Sequence, residues 1–196
     1  MRSCYLSRKT NETEVEVSLV LEGRGVRTIS TPIPFFDHML DQVARFSNVD
    51  MEVKVTGDID VDGHHIVEDT GIVLGSCLSD ALGDRKGIER FSQAAVPMDE
   101  ALVVVTLDLS GRPYLHYEDA ALRGHVPLGS PSFDPQLAEE FFRALCVGAR
   151  LTLHVDYVRG KNTHHMLEAA FKAFGRALGK AICITGAEVP STKGVI

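Results

Sequence analysis

Two five-residue runs repeat one pattern 100 positions apart: His64-His65-Ile66-Val67-Glu68 and His164-His165-Met166-Leu167-Glu168, both HHxxE. Imidazole and carboxylate side chains are the natural holders of divalent first-row metals. On a helix the first histidine and the glutamate stand four residues apart, about 40° around the axis, so they can share one ion. The second histidine is turned away by roughly 100° and faces another direction. One motif therefore offers two metal-binding directions, and the two motifs supply enough ligands to share between two ions. His38, on a preceding helix, can add a ligand. Its counterpart in the second half, by the internal repeat set out below, is Ala144, so the symmetry is broken there. A lone histidine pair on a helix is ordinarily surface or capping chemistry. Duplication of His, His and Glu together argues instead for ligands. Three imidazoles and a carboxylate with open positions suit Mn2+, Fe2+ or Zn2+, and the carboxylate content favours Mn2+.

The elements that must carry these motifs are written twice as well. Glu12 to Arg24 aligns without gaps on Glu100 to Arg112, an offset of 88, and both copies end in LxLxGR. Phe35-Phe36 matches Phe141-Phe142, and Val49-Asp50 matches Val155-Asp156, at an offset of 106. The change from 106 to 100 at the motifs reads as a shorter strand-to-helix loop in the second copy. Two homologous halves follow, 1–90 with the first motif and 91–196 with the second.

Segments 15–21 and 102–109 alternate or run apolar with β-branched residues and are expected strands. Segments 26–30 and 114–117 could return as their hairpin partners. Helical spacing marks 34–46 and 135–146, the latter with Asp134 as N-cap and Pro135 as first helical residue. Strands 49–55 and 151–158 and long helices 64–82 and 163–182 complete each copy. The expected fold is α+β: two β-β-α-β-α halves, each a sheet with helices on one face, packed helix-side inward around a shared core. Loops 57–63 and 118–135 are the expected mobile or substrate-facing segments.

The formal net charge of −7 excludes a phosphate-tracking nucleic-acid surface, which needs a basic excess. It leaves room for one phosphorylated small molecule, since a few placed Arg and Lys suffice. Cys4, Cys77, Cys146 and Cys183 form no CxxC pair and read as reduced thiols. The first residues contain no apolar signal region, and no apolar run approaches the roughly 20 residues that span a bilayer. A soluble, cytoplasmic protein is the expectation. Taken singly, Arg90, Arg112, Lys172, Ser191 and Lys193 read as surface residues, and Glu12 and Asp99 as turn residues before strands. His116, His125 and His154 have no repeated partner and read as structural or solvent-exposed.

At these residues the chain resembles a known family. The blocks PFFDHMLDQVARFS (34–47), GDIDVDGHHIVEDTGIVLG (57–75), GDRKGIERF (83–91), PMDEALVVVTLDLSGRPYL (97–115), GKNTHHMLEAAFKAFGRAL (160–178) and STKGVI (191–196) are similar to imidazoleglycerol-phosphate dehydratases of histidine biosynthesis. The match runs from about Arg8 to the C-terminus. The resemblance implies a duplication of the ribosomal protein S5 domain 2-like kind and a 24-subunit homo-oligomer. It also implies two Mn2+ per active site, at subunit interfaces. Metal ligands carried over are His38, His64, His65, Glu68, His164, His165 and Glu168. Some members have a histidine directly before the Phe pair; here Glu140 stands there, and a carboxylate can still coordinate Mn2+. The implied phosphate cradle is Gln42, Arg90, Arg112, Lys172, Ser191 and Lys193. Glu12 and Asp99 match acidic positions near the substrate and are assigned acid–base roles, with His65, Glu68, His165 and Glu168 also catalytic.

A chemical reason for metals accompanies this. The proton to be removed is on a carbon not adjacent to a carbonyl. If the substrate's imidazole is held as a metal-bound imidazolate, its electrons can expel the neighbouring hydroxyl through a diazafulvene-like intermediate, acidifying the next C–H. Two rival readings use the same ligands: a binuclear metallohydrolase and a non-catalytic metal cage. The basic residues argue against the cage, because storage needs no phosphate clamp. No phosphatase-like domain is fused in this chain, so a monofunctional protein is expected.

Overall fold

Alternation of buried with more open positions makes Thr13–Val20 (β2) and Ala101–Asp108 (β6) the strands that read most plainly from the sequence. Their neighbours are Ser3–Lys9 (β1), Arg27–Ser30 (β3), Asp50–Gly57 (β4), Phe91–Met98 (β5), Tyr114–Glu118 (β7) and Thr152–Arg159 (β8). The helices are Pro34–Ser47 (α1), His64–Leu82 (α2), Gln136–Ala149 (α3) and Thr163–Ala181 (α4), with a short 3-10 turn at Ala120–Leu122. The structure, a computed structural model, describes residues 1–196 apart from Asp119, Arg123 and His125 and the side chain of Ala120. His125, read above as structural or exposed, lies outside the described residues.

Each half is β-β-β-α-β-α, one strand more than expected. β1 and β5 were missed for different reasons. β1 (SCYLSRK) is mostly exposed and polar, as an edge strand should be. β5 contains Pro97, which a central strand excludes and an edge strand tolerates. The sheets are ordered β1-β2-β4-β3 and β5-β6-β8-β7.

β3 and β7 form no hairpin with β2 and β6. They pair in parallel with β4 and β8. The cause is local in the first half: Asp50 Oδ1, at the start of β4, accepts the N–H groups of Arg24 and Val26, both at 2.8 Å. That swings the chain past the end of β2 to the far side of β4, and α1 then makes the crossover. α3 starts at Gln136, with Pro135 as its N-cap rather than its first residue. Asp134 still satisfies an orphan donor, its Oδ1 accepting the Gln136 N–H at 3.0 Å.

Helices meet across the halves, α2 on α3 and α1 on α4, while α2 also lies on β1 and β2 and α4 on β5 and β6. Glycines set the approach. A Cβ at Gly75 would stand 2.5 Å from the Leu145 carbonyl oxygen, and one at Gly175 2.9 Å from that of Val43. Val17, Val53, Phe36, Leu40, Val105, Val155, Phe142 and Phe171 are fully buried in the shared core.

The folded halves also correct the repeat. α1 and α3 each have 14 residues and start 102 apart (136 − 34), and both end on a left-handed cap, Asn48 and Arg150. The strand register agrees: Val17 pairs Val53, and its counterpart Val105 pairs Val155, again 102 apart. His38 therefore corresponds to Glu140, not to Ala144.

The connection between halves is pinned by Arg85, which is 5 % exposed and has φ +57°. Its guanidinium donates to the carbonyls of Ala149 (2.7 Å), Leu109 (3.0 Å) and Arg150 (3.1 Å), closing the C-terminal end of α3. Arg85→Met leaves these acceptors without a donor. A loss of about 3 kcal/mol is expected, the cost of buried groups left unsatisfied. For a chain of this size that lowers the melting temperature by roughly 6–12 °C. Calorimetry checks this, and a shift under 2 °C would contradict it.

Candidate active site

Asn162, the N-cap of α4, accepts the N–H groups of His164 (2.9 Å) and His165 (3.3 Å), so the histidine pair opens the first turn of the helix. His164 Nε2 lies 2.8 Å from Glu168 Oε2, and His38 Nε2, reaching over from α1, lies 3.2 Å from the same oxygen. Lys172 Nζ is 2.6 Å from the other oxygen, Oε1. Burial pushes the Glu168 carboxyl towards its neutral form. Hydrogen bonds from Lys172, His164 and His38 outweigh that, and its pKa lies below the ordinary carboxylate value. Gln42, one turn along α1, places its amide nitrogen 3.3 Å from His38 Nδ1. Phe35 packs its ring edge-on against His164, and behind it stands Phe133 from the end of loop 118–135, which is fully buried.

Ligand atoms of His38, His164 and Glu168 all lie within 4.8 Å of one another, the only such group among the described residues. Two imidazoles and an ionised carboxylate converging on one point are a donor set that fits a divalent metal.

His165 faces the other way, as the helical geometry requires. Its Nδ1 is 2.9 Å from Glu100 Oε2, and its Nε2 is 3.8 Å from Asp99 Oδ2. Glu100 also accepts the Lys161 and Asn162 N–H groups at 3.1 and 2.7 Å. The bond from His165, and then those backbone bonds, hold its carboxyl down to about 2.

The first motif opens α2 in the same manner. Asp62 Oδ1 accepts the His64 N–H at 2.8 Å. His64 Nε2 and Glu68 Oε2 are 3.6 Å apart, and His65 Nδ1 is 3.4 Å from Glu12 Oε2. Glu68 is far more open than Glu168: their side chains are 44 % and 8 % exposed. A cavity of about 280 Å³ lies beside this end of α2, bordered by Asp62, Gly63, Pro131 and Asp134 from the two loops singled out above. Glu140 is at the α3 position that matches His38 on α1, with Arg143 Nε 3.6 Å from its carboxylate. His64, His65, Glu68 and Glu140 do not join the His38–His164–Glu168 group within one chain.

The basic residues fall in two places. Lys172 and Gln42 stand with Glu168 and His38. Arg90 and Arg112 are both at Asp108, at 2.7 and 3.7 Å. Arg90 also donates to the Pro190 carbonyl at 2.7 Å, just before Ser191, while the C-terminal Ile196 lies against Gly111. Ser191 Oγ accepts the Lys193 N–H at 3.2 Å. Arg90, Arg112, Ser191 and Lys193 thus share one corner of the molecule. The Arg90 N–H bonds the Ala181 carbonyl at the end of α4, about 13 Å along that helix from Lys172. His116 and His154 are elsewhere, their rings tilted against each other with centroids 5.3 Å apart on the second sheet and Asp156 beside His116.

Residues 31–178 match the model of the family described as imidazoleglycerol-phosphate dehydratase. The chain belongs to that family. It is 47 % identical to the imidazoleglycerol-phosphate dehydratase of Bordetella petrii over the whole of both chains. It is 50 % identical to that of Desulfitobacterium hafniense, with 100 % of this chain and 96 % of the other covered. The crystal structure of the Staphylococcus aureus imidazoleglycerol-phosphate dehydratase superposes with a TM-score of 0.82 at 39 % identity, covering 93 % of this chain and 99 % of that one. Membership of the imidazoleglycerol-phosphate dehydratase family makes this chain an enzyme of the hydro-lyase class.

Glu100 is the residue that reading the sequence missed. The offset of 88 pairs it with Glu12, and that signal was available; Asp99, its exposed neighbour, was chosen instead on family resemblance. Asp69 was missed too. It follows Glu68 directly, is buried, pairs with Arg8 at 2.5 Å and accepts the Thr13 hydroxyl, tying α2 to the start of β2, next to Glu12.

Proposed function

We propose that this dehydratase converts imidazole glycerol phosphate to imidazole acetol phosphate, a step of L-histidine biosynthesis, using two Mn2+ per active site. The observation that carries the metal reading is the convergence of His38, His164 and Glu168 on one point. When bound, divalent metal supplies Lewis acidity and a template for the two nitrogens of the substrate's imidazole. His64, His65, Glu68, Glu140 and His165 are the remaining ligands. In one chain they stand apart from the first group, which supports sites completed by residues of a second copy in a 24-subunit assembly.

The same argument applies to the phosphate. Gln42 and Lys172 are at one place in the chain, and Arg90, Arg112, Ser191 and Lys193 at another. Joined across an interface, they hold the phosphate dianion and bring the carbon chain within reach of the acid–base groups. Glu12 Oε2 and the Asp99 carboxylate are those groups: they take the carbon-bound proton and return one to the departing hydroxyl. The substrate's ring supplies the electrons through a diazafulvene-like state, and the resulting enol ketonises. Among the described residues no helix is long and apolar enough to cross a membrane. Four free thiols, two of them buried, support the cytoplasm as the compartment.

The test is turnover of imidazole glycerol phosphate by chelator-stripped protein with and without Mn2+. Activity that falls by at least roughly 100-fold on stripping and returns with Mn2+ is expected, given the scale of Lewis-acid effects. Folded, assembled protein that makes no product with any divalent metal would overturn the reading.

A further inference from the structure

The two halves hold equivalent glutamates in different ways. Glu12 and Glu100 correspond at the offset of 88, and each carboxylate faces Nδ1 of the second histidine in its motif. Below Glu12 lies a polar network. Thr10 Oγ1 accepts the Glu12 and Thr13 N–H groups, Thr13 donates its hydroxyl to Asp69, and Arg8 pairs with Asp69. At the corresponding positions of the second half stand Met98, Ala101, Ala169 and Val96, which can form no such network. Its work is taken over by the Glu100 carboxylate itself. Oε1 accepts two backbone N–H groups from the loop that enters α4, and Oε2 meets His165. Among the described residues the Glu12 carboxylate has one partner, at 3.4 Å, and its side chain is 58 % exposed, whereas the Glu100 carboxylate is held from three directions.

We propose that Glu100 is the positioning residue of the second motif, fixing the orientation and tautomer of His165 so that Nε2 presents its lone pair to metal. This rests on the metal reading above. A carboxylate can only accept, so the ring proton goes to Nδ1 and the lone pair to Nε2. Nε2 is the ring atom on the side of Asp99, away from Glu100. A carboxylate on the far nitrogen of a ligating imidazole also raises its basicity. The halves thereby divide two tasks: Glu12 is free to move a proton, and Glu100 is locked to hold a ligand.

Glutamine at position 100 separates this from a merely structural role. Glu100→Gln keeps an oxygen for the Lys161 and Asn162 N–H groups, so the loop stays fastened. It turns an NH2 towards His165 Nδ1, however, which favours the opposite tautomer and puts the ring proton on Nε2. Mn2+ binding to the assembled protein, read from the EPR signal of free Mn2+, is measured beside the melting temperature. Glu100→Gln is expected to melt within 2–3 °C of the wild type, yet to bind one class of Mn2+ roughly 10- to 100-fold more weakly, the usual cost of losing an outer-shell partner. Glu100→Ala, which releases the loop as well, is expected to lower both. Wild-type Mn2+ affinity in Glu100→Gln overturns the positioning role alone. Wild-type protein that binds no Mn2+ overturns the metal reading together with it.

Discussion

Glu168→Gln is expected to lower kcat by about 10³-fold, the scale on which a single positioned group contributes to a metal-assisted or acid–base step. Glu168 as a residue is 6 % exposed, and three donors converge on its two carboxylate oxygens: Lys172 at 2.6 Å, His164 at 2.8 Å and His38 at 3.2 Å. A carboxamide keeps the volume but offers one accepting oxygen and an NH2 that confronts whichever donors remain. Either the two imidazoles or the Lys172 ammonium loses its partner. The fold tolerates this, since Lys172 is partly exposed and still lies over the Phe46 ring at 5.7 Å. Mn2+ affinity is expected to fall with kcat, and circular dichroism to stay unchanged. A kcat within tenfold of wild type at saturating Mn2+ would remove Glu168 from the chemistry and leave it as a packing residue.

How much of this was legible in the sequence depends on what each pattern records. The two-fold character of the chain was legible, because β2 and β6 match residue for residue through LxLxGR and no register ambiguity survives thirteen ungapped positions. The helix and strand that follow were matched four residues out of register. Phe35-Phe36 corresponds in space to Leu137-Ala138, not to Phe141-Phe142. A slip of four is the hardest to detect: it returns a helix to nearly the same face and a strand to the same side of its sheet. Its consequence was confined to one residue that mattered, Glu140, which the folded halves make the equivalent of His38. The edge strands β1 and β5 were illegible for other reasons: β1 buries too little to show a period, and Pro97 interrupts β5. HHxxE was legible as two histidines facing different directions, and the structure has them so: His64 and His164 turn Nε2 to their own glutamates, while His65 and His165 turn Nδ1 to Glu12 and Glu100. Glu100 could have been found from its offset of 88 to Glu12, whereas Asp69 was not legible as a site residue, because its importance comes from a hydroxyl and a guanidinium brought to it by other elements.

Two inactive variants are expected to restore each other when assembled together. His65→Ala removes an imidazole of the first motif, and Glu168→Gln removes the carboxylate of the second; each homogeneous protein is expected to turn over at least roughly 10³-fold more slowly than wild type. The His65 side chain is 40 % exposed, so its loss leaves the fold intact. Within one chain the two motifs face separate places, and among the described residues only His38, His164 and Glu168 gather. If a working site takes its first motif from one copy and its second from another, some sites in a mixed particle receive both intact motifs. With equal amounts of the two variants and random assembly, half of all first motifs and half of all second motifs are intact. Roughly a quarter of the sites are then complete, and about that fraction of wild-type activity should return. If each chain built its own site, every site in the mixture would carry one lesion and activity would stay at the level of the single variants. Coexpression with two different affinity tags, double purification and a Mn2+-supplied assay measures this directly. Activity near 25 % of wild type, on this random-mixing estimate, supports sites shared between copies. Activity no greater than that of either variant alone would confine the site to one subunit and contradict the shared-site reading.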